Sequence, residues 1–311
     1  MREPLHVALP LGIGDCWWSC QKLRALSELH QAPIIAHVSK SPNHQSVGFL
    51  QTIPWILEAV EDPRAPYAID RQLEPSHRDP RWSTLEGCAN WEGFDYIAVA
   101  NGHLERGERI ESWWPELSTD YICTLNIAVE DIEYGRTLAP PGSILLYLSG
   151  TGPNSGFHGG TWTVDNWVGV IAGLNAAGIR PVLVGAPTPD DTNYRDWVVR
   201  KARRYKLEFG DAVGQTTQPQ VLSMIREAGA IAGLNSGLLI VGSAMGTPTV
   251  MCWANARYQK VLPVNPAVLL PEAMATSWLA PEQLEHYRVL SYGSPELTPE
   301  ALVQALLEVR R

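Results

Sequence analysis

Residues 230–239 read Ala-Ile-Ala-Gly-Leu-Asn-Ser-Gly-Leu-Leu. Ala230–Leu234 is a short apolar run bounded by small polar residues, and it predicts a buried strand. Leu238–Met245 predicts a short apolar helix directly behind it. The turn between them is Asn235-Ser236-Gly237, so a strand delivers small polar residues to a helix N-terminus. The free N–H groups and positive dipole end of such a terminus favour an anion such as pyrophosphate. A plain strand-turn-helix unit is the alternative.

The same order of apolar strand, turn and helix recurs along the chain and predicts an α/β architecture. Ile144–Ser149 predicts a strand, and Pro299–Arg310 predicts the last helix. His6–Leu11 predicts the first strand, followed by a helix through about residue 29. Two prolines and a glycine in Leu138-Ala139-Pro140-Pro141-Gly142 predict a linker. We therefore expect two Rossmann-like, doubly wound domains, 1–140 and 141–311, that face each other across a cleft.

The first half contains segments with weaker patterns. Residues 42–60 predict a loop and a helix, with Trp55, Leu57 and Val60 as candidate core contacts. Tyr121–Ala128 predicts a further helix.

Composition and charge narrow the class of protein. The 311 residues are 45% apolar and 18% charged, which is typical of a globular chain and excludes disorder. No apolar stretch approaches the roughly 18 residues of a membrane span. Five cysteines without ligand spacing, and an N-terminus without an apolar signal core, favour a reducing, cytoplasmic setting. Residues 1–140 hold 11 Lys+Arg and 20 Asp+Glu, so the whole net charge of −9 lies there and disfavours a nucleic-acid partner.

Two further Gly-rich turns follow predicted strands. In Leu11-Gly12-Ile13-Gly14-Asp15, the glycines allow a ligand to approach the backbone, and Asp15 lies at the helix start. The alternative for Asp15 is a helix N-cap. Trp17 stands where a dinucleotide fingerprint has its third glycine, which argues against a dehydrogenase. The other turn, Ser149-Gly150-Thr151-Gly152, offers N–H and O–H donors to a phosphate, or is a flexible interdomain loop; it lacks the G-K-[ST] ending of a P-loop.

Taken in order, these segments resemble the heptosyltransferases of glycosyltransferase family 9, which have the GT-B fold. The matching residues are Gly12-Ile13-Gly14-Asp15, Trp162-Thr163-Val164-Asp165-Asn166-Trp167, Asn235-Ser236-Gly237 and Ala244-Met245-Gly246-Thr247-Pro248. Three positions depart from the family pattern: Asn235 replaces an Asp, Ile240 a His and Gly160 a Lys.

The resemblance implies an enzyme that transfers a sugar, with inversion and without a metal, from a nucleotide-diphosphate donor to an acceptor hydroxyl. It implies an acceptor-binding domain over 1–140, a donor-binding domain over 141–311, and no cofactor besides the nucleotide sugar as co-substrate. We expect the acceptor to be a glycan, a protein or a hydroxymethylated DNA base, while the acidic first half disfavours anionic lipopolysaccharide. The alternatives are an inactive nucleotide-sugar-binding module and a nucleotide-sugar epimerase.

The resemblance also assigns site residues. Asp15 would be the general base on the acceptor hydroxyl. His158 could replace the missing family lysine, and Asp190 is a candidate for the ribose. The expected donor-binding residues are Ser149, Thr151, Gly152, His158, Asp190, Asn235, Ser236 and Gly237. The expected acceptor-side residues are Gly12, Gly14, Trp17 and His103, and no metal ligands are expected.

Overall fold

A computed structural model of the chain describes most of its residues. The described residues are 2–10, 12–38, 46–65, 87–91, 93–100, 103–104, 108–148, 162–186, 189–234, 236–253, 277–291 and 297–310. Of residues 87–91, 189–193, 253 and 291, only the backbone is described.

Internal contacts divide the chain into two compact units. The first comprises Met1–Asn126 and Pro266–Ala280, and the second comprises Ile127–Asn265 and Pro281–Arg311. The helix α3, Val129–Leu138, belongs to the second unit, although it precedes the linker predicted at residue 140. Its Arg136 guanidinium donates to both carboxylate oxygens of Glu227, at 2.8 and 2.6 Å. The division of function at residue 140 stays a prediction.

The first unit is built on a five-stranded sheet in the order β3-β2-β1-β5-β4. Neighbouring strands are parallel, except that β4 runs antiparallel to β5. A parallel pair needs a crossover connection, and α1 supplies the one between β1 and β2. The elements are β1 (Leu5–Leu9), α1 (Ile13–His30), β2 (Ile34–Val38), α2 (Ser46–Leu50), β3 (Ile56–Glu61), β4 (Gly87–Trp91) and β5 (Phe94–Ile97).

Predictions for two segments of the chain need correction. The helix predicted within residues 42–60 is observed over Ser46–Leu50, but the edge strand β3 follows it, and Leu57 is 63% exposed instead of packing in a core. Tyr121–Ala128 is not helical. The Asn126 N–H donates to Thr52 O at 2.6 Å, so this segment bonds to another part of the unit rather than along a helix.

A chain of hydrogen bonds joins β1, β2 and the residue that directly follows β3. His6 Nδ1 lies 2.9 Å from His37 Nε2, and His37 Nδ1 lies 3.0 Å from Asp62 Oδ2. The Arg64 guanidinium donates to Asp62 and holds the pKa of that carboxyl well below its usual range. Burial lowers the pKa of His37. Neutral His37 therefore donates to ionised Asp62 and accepts a hydrogen bond from His6.

This network predicts a loss of stability in mild acid. Folding lowers the pKa of His37, so the unfolded chain binds the proton more readily and stability falls as the pH drops below about 6.5. The contribution of Asp62 is lost only below about pH 4. We expect the melting temperature to fall from pH 7 to pH 5, and to fall less in His37→Gln. Thermal melts of His37→Gln and of the control His286→Gln test this; equal pH dependence in all three proteins would contradict it.

The second unit contains a six-stranded sheet in the order β11-β10-β9-β6-β7-β8, and every neighbouring pair is parallel. Counted from β6, this is the 3-2-1-4-5-6 order of the doubly wound dinucleotide-binding fold. The predicted α/β class with doubly wound sheets is confirmed. The strands are β6 (Ile144–Tyr147), β7 (Val182–Val184), β8 (Gly210–Asp211), β9 (Ala230–Leu234), β10 (Thr249–Trp253) and β11 (Tyr287–Ser291).

Three described helices of the second unit, α4, α6 and α9, start at threonine side-chain caps that the sequence supplies. Thr163 and Asn166 form a capping box at the start of α4. Trp162 and Trp167 are buried with their rings edge to face, 5.7 Å apart, so this segment of the family pattern anchors α4 in the core. After α3, the helices are α4 (Val164–Ala176), α5 (Pro189–Arg204), α6 (Gln218–Glu227), α7 (Gly237–Ala244), α8 (Pro281–Leu284) and α9 (Pro299–Val309).

Candidate functional site

The centre of the second sheet is a topological switch point. Strands β6 and β9 lie side by side, with Tyr147 in register with Gly233. From there, the chain proceeds to β7 and β8 on one side and to β10 and β11 on the other. Ligands of doubly wound sheets bind outside the carboxyl ends of such a strand pair. Both predicted donor segments, 149–152 and 235–237, directly follow these two ends.

Gly233 allows the two central strands to approach closely. A Cβ atom at this position would lie 2.6 Å from the Tyr147 carbonyl oxygen and 2.8 Å from Tyr147 Cβ. It would also lie 3.2 Å from Leu239 Cδ1, in α7. The glycine therefore brings the N-terminus of α7 close to the end of β6.

Ser236 is the N-cap residue of α7, and its side chain makes no capping hydrogen bond. The residue is 5% exposed, and its Oγ has no hydrogen-bond partner among the described residues. A buried hydroxyl left without a partner costs about 1–3 kcal/mol. The first N–H groups of a helix also lack partners within it. The arrangement can therefore bind a ligand that carries several acceptor oxygens and a negative charge.

Ser236 and Gly237 lie at this edge of the sheet, at the start of α7, and their role in donor binding stays a prediction. Asp190 lies in the first turn of α5, where only the backbone is described. The other predicted donor-binding residues lie outside the described residues, and they are Ser149, Thr151, Gly152, His158 and Asn235.

The first sheet has its own switch point, between β1 and β5. Gly12 is the N-cap residue of α1, so Asp15 occupies the third position of the helix and is not its N-cap. A Cβ atom on Gly12 would lie 2.7 Å from Asp15 Oδ2, which shows that the half-buried carboxylate folds back over this glycine. The N-cap alternative for Asp15 is therefore wrong.

His103 follows β5 and is buried in a small polar cluster. Its Nδ1 lies 2.8 Å from Glu108 Oε2, and its Nε2 lies 2.9 Å from Ser112 Oγ and 3.1 Å from Arg109 O. The Ser112 hydroxyl donates to Arg109 O at 2.7 Å. The His103 ring therefore lies between Glu108 and Ser112 and holds the turn at 108–112. Sequence spacing carried no signal for Glu108 or Ser112.

The predicted acceptor-side rings are not surface groups. Trp17 has no exposed surface and packs in the core of the first unit, so its predicted contact with the acceptor is wrong. His103 is 7% exposed and acts on the turn instead. Gly12 and Gly14 do lie at the carboxyl end of β1, around Asp15.

Within the described segments, no group of three or more His, Cys, Asp or Glu residues is arranged to hold a metal ion. None of the described helices combines the length and the apolar character needed to cross a bilayer.

Comparison with known proteins places the fold. No family model and no curated protein matches the sequence. Escherichia coli ADP-heptose lipopolysaccharide heptosyltransferase II is similar in structure over 98% of both chains, with a TM-score of 0.60 at 16% identity. The fold is that of the heptosyltransferases.

Two more solved structures share this heptosyltransferase fold. A glycosyltransferase family 9 protein of Veillonella parvula has a TM-score of 0.61 at 14% identity, over 98% of this chain and 97% of its own. E. coli heptosyltransferase WaaC, solved with ADP, has a TM-score of 0.55 at 13% identity over 99% of both chains. The predicted GT-B fold is confirmed.

Proposed function

We propose that the protein is a glycosyltransferase that moves a hexosyl or heptosyl group from a nucleoside-diphosphate sugar to an acceptor hydroxyl. The observation that carries this proposal is the buried Ser236 hydroxyl, which has no partner among the described residues and lies at the N-terminus of α7. A diphosphate supplies the acceptor oxygens and the charge that this helix start favours. Because WaaC was solved with ADP, ADP-sugars are the first donors to test.

The proposed chemistry is a single inverting displacement. The acceptor oxygen attacks the anomeric carbon, the bond from that carbon to the diphosphate breaks, and the acceptor proton passes to the Asp15 carboxylate. A carboxylate is a suitable general base, and the start of α7 stabilises the negative charge that develops on the leaving diphosphate. Gly12 leaves the space that the Asp15 carboxylate occupies.

The net charge of the first 140 residues favours some classes of acceptor over others. The first 140 residues carry the whole net charge of −9, which repels an anionic acceptor. A neutral glycan or a protein hydroxyl therefore fits better than a hydroxymethylated base within a DNA strand, whose phosphates would be repelled.

A donor screen tests the function. Thermal shift and calorimetry with ADP-, UDP-, GDP- and CDP-sugars should identify one nucleotide that stabilises the protein by mass action. Slow hydrolysis of the same donor should accompany binding. Binding without hydrolysis or transfer would indicate the inactive binding module, while failure to bind any nucleoside-diphosphate sugar would contradict the proposal.

We expect the reaction to proceed without a metal, because the start of α7 is proposed to stabilise the leaving diphosphate. Donor hydrolysis should therefore continue at the same rate in excess EDTA as in its absence. Wild-type protein dialysed against EDTA and then supplied with Mg²⁺ or Mn²⁺ is the control. Complete loss of activity that either cation restores would overturn this expectation.

A further inference from the structure

The solvent-exposed side of α5 carries an aromatic and basic surface that the proposed function does not use. Trp197, Arg200 and Arg204 occur at positions i, i+3 and i+7, so they lie on one side of the helix. Arg203 borders them. Tyr205 and Lys206 follow in the turn after the helix. We call these six residues the basic face.

The aromatic residues of the basic face are exposed to solvent. Trp197 is 65% exposed and Tyr205 is 60% exposed, whereas Val198, Val199 and Ala202 on the opposite side of α5 are buried in the core of the second unit. Because α5 packs on the core through its buried valines and alanine, the exposed Trp197 does not contribute to this packing. Large exposed aromatic side chains with a polar tip are typical of binding surfaces.

The cations of the basic face lack neutralising partners among the side chains that the structure describes. Among the described residues, no carboxylate forms an ion pair with Arg200, Arg203, Arg204 or Lys206. The nearby acidic groups are engaged elsewhere or stand apart. Asp196 pairs with Arg195, Asp165 pairs with Lys201, and Glu208 lies beyond the turn. The basic face therefore presents four uncompensated positive charges in a chain whose net charge is −9.

We propose that the basic face docks on the surface of an anionic phospholipid bilayer. Lys and Arg near such a surface are attracted to the lipid phosphates, and the rings of Trp and Tyr settle at the level of the headgroups. At 0.1 M salt, charges more than about 10 Å away are largely screened, so the attraction depends mainly on the charges of the basic face itself. A convex helix face meets a flat membrane, whereas single-stranded nucleic acid is normally bound along a groove.

This docking does not rest on the proposed function. It requires only the second unit, and it is measured as binding rather than as sugar transfer. The helix α5 follows β7 and runs away from the carboxyl edge of the sheet, so the basic face, in its last turns, lies away from the start of α7.

Vesicle co-sedimentation tests the proposal. We expect the wild-type protein to bind vesicles of phosphatidylcholine and phosphatidylglycerol at 0.1 M NaCl, but not vesicles of pure phosphatidylcholine, and to dissociate at 0.5 M NaCl. Arg200→Gln/Arg204→Gln should lower the partition coefficient more than tenfold, and Trp197→Ser should lower it several-fold. Arg226→Gln/Arg310→Gln removes the same charge from exposed positions outside α5 and should leave binding unchanged.

All variants change exposed side chains, so their melting temperatures should match that of the wild type, which separates loss of docking from loss of folding. The proposal is overturned if the wild type does not bind anionic vesicles, or if the two double variants bind equally well. Binding of a labelled single-stranded oligonucleotide that Arg200→Gln/Arg204→Gln abolishes, without vesicle binding, would assign the basic face to nucleic acid instead.

Discussion

Replacing Gly237 by valine is expected to weaken binding of the nucleoside diphosphate more than tenfold, a loss above about 1.4 kcal/mol. Gly237 is the first residue of α7, directly after the buried Ser236 hydroxyl. A β-branched side chain there would fill the space in which the phosphates approach the N–H groups of the helix. Isothermal titration calorimetry with the donor identified by the screen measures the loss.

Two variants of neighbouring residues sharpen this test. Leu238→Val introduces the same β-branched side chain one position later. It should keep the affinity for the donor within about twofold of wild type, a change well below 1.4 kcal/mol. Ser236→Ala removes a hydroxyl that makes no capping bond, so the melting temperature should hold while the donor binds more weakly. If folded Gly237→Val binds the donor as tightly as wild type, the donor site lies elsewhere.

The second unit could be predicted from the sequence because its local and long-range signals agree. Ala230–Leu234 is apolar throughout, as expected for a strand with neighbours on both sides, and all five residues are buried. The predicted helix near Pro299–Arg310 is observed over Pro299–Val309, with Thr298 as its cap. The sequence could not predict that Gly233 sits against the Tyr147 carbonyl, because this contact depends on the pairing of β9 with β6.

The first unit was harder to predict because several of its groups are held by partners distant in sequence. Lys22 is an example: its ammonium group is buried in α1 and donates to Leu117 O at 2.7 Å, and burial lowers the pKa of this lysine. The spacing of apolar residues around Leu57 fits a helix as well as an edge strand. In the observed edge strand β3, some apolar side chains that this spacing assigns to the core are exposed to solvent.

The sequence could predict which segments form the candidate site, but not the role of each residue within them. A turn of small polar residues before a helix signals anion binding, and the structure supports Ser236 with an unsatisfied buried hydroxyl. Trp17 and His103 both follow strands that end at the carboxyl edge of the first sheet. Both are buried, however: Trp17 packs in the core, and His103 forms hydrogen bonds within the protein. The order of strands and helices predicts which residues lie near the carboxyl edge of a sheet. Whether their side chains are exposed there depends on packing by residues that are far apart in sequence.

Replacing Asp15 by asparagine is expected to reduce sugar transfer by about 10²-fold or more, the usual contribution of a general base. Asparagine is nearly isosteric and cannot take the acceptor proton. Because Gly12, not Asp15, is the N-cap of α1, the substitution keeps the cap and removes a favourable charge near the helix start, worth about 0.3–1 kcal/mol. Donor affinity and melting temperature should therefore stay close to wild type while the rate of transfer falls.

Two further variants of α1 separate catalysis from helix stability. Gly12→Ala keeps the carboxylate but adds a methyl group 2.7 Å from Asp15 Oδ2, a contact too short to persist. The carboxylate must therefore move, and transfer should also slow. Glu28→Gln removes a carboxylate whose side chain is 64% exposed at the other end of the helix, and it should transfer at the wild-type rate. Single-turnover assays with saturating donor compare all three variants. An Asp15→Asn protein that transfers sugar as fast as Glu28→Gln would show that Asp15 supports the start of α1 and takes no proton.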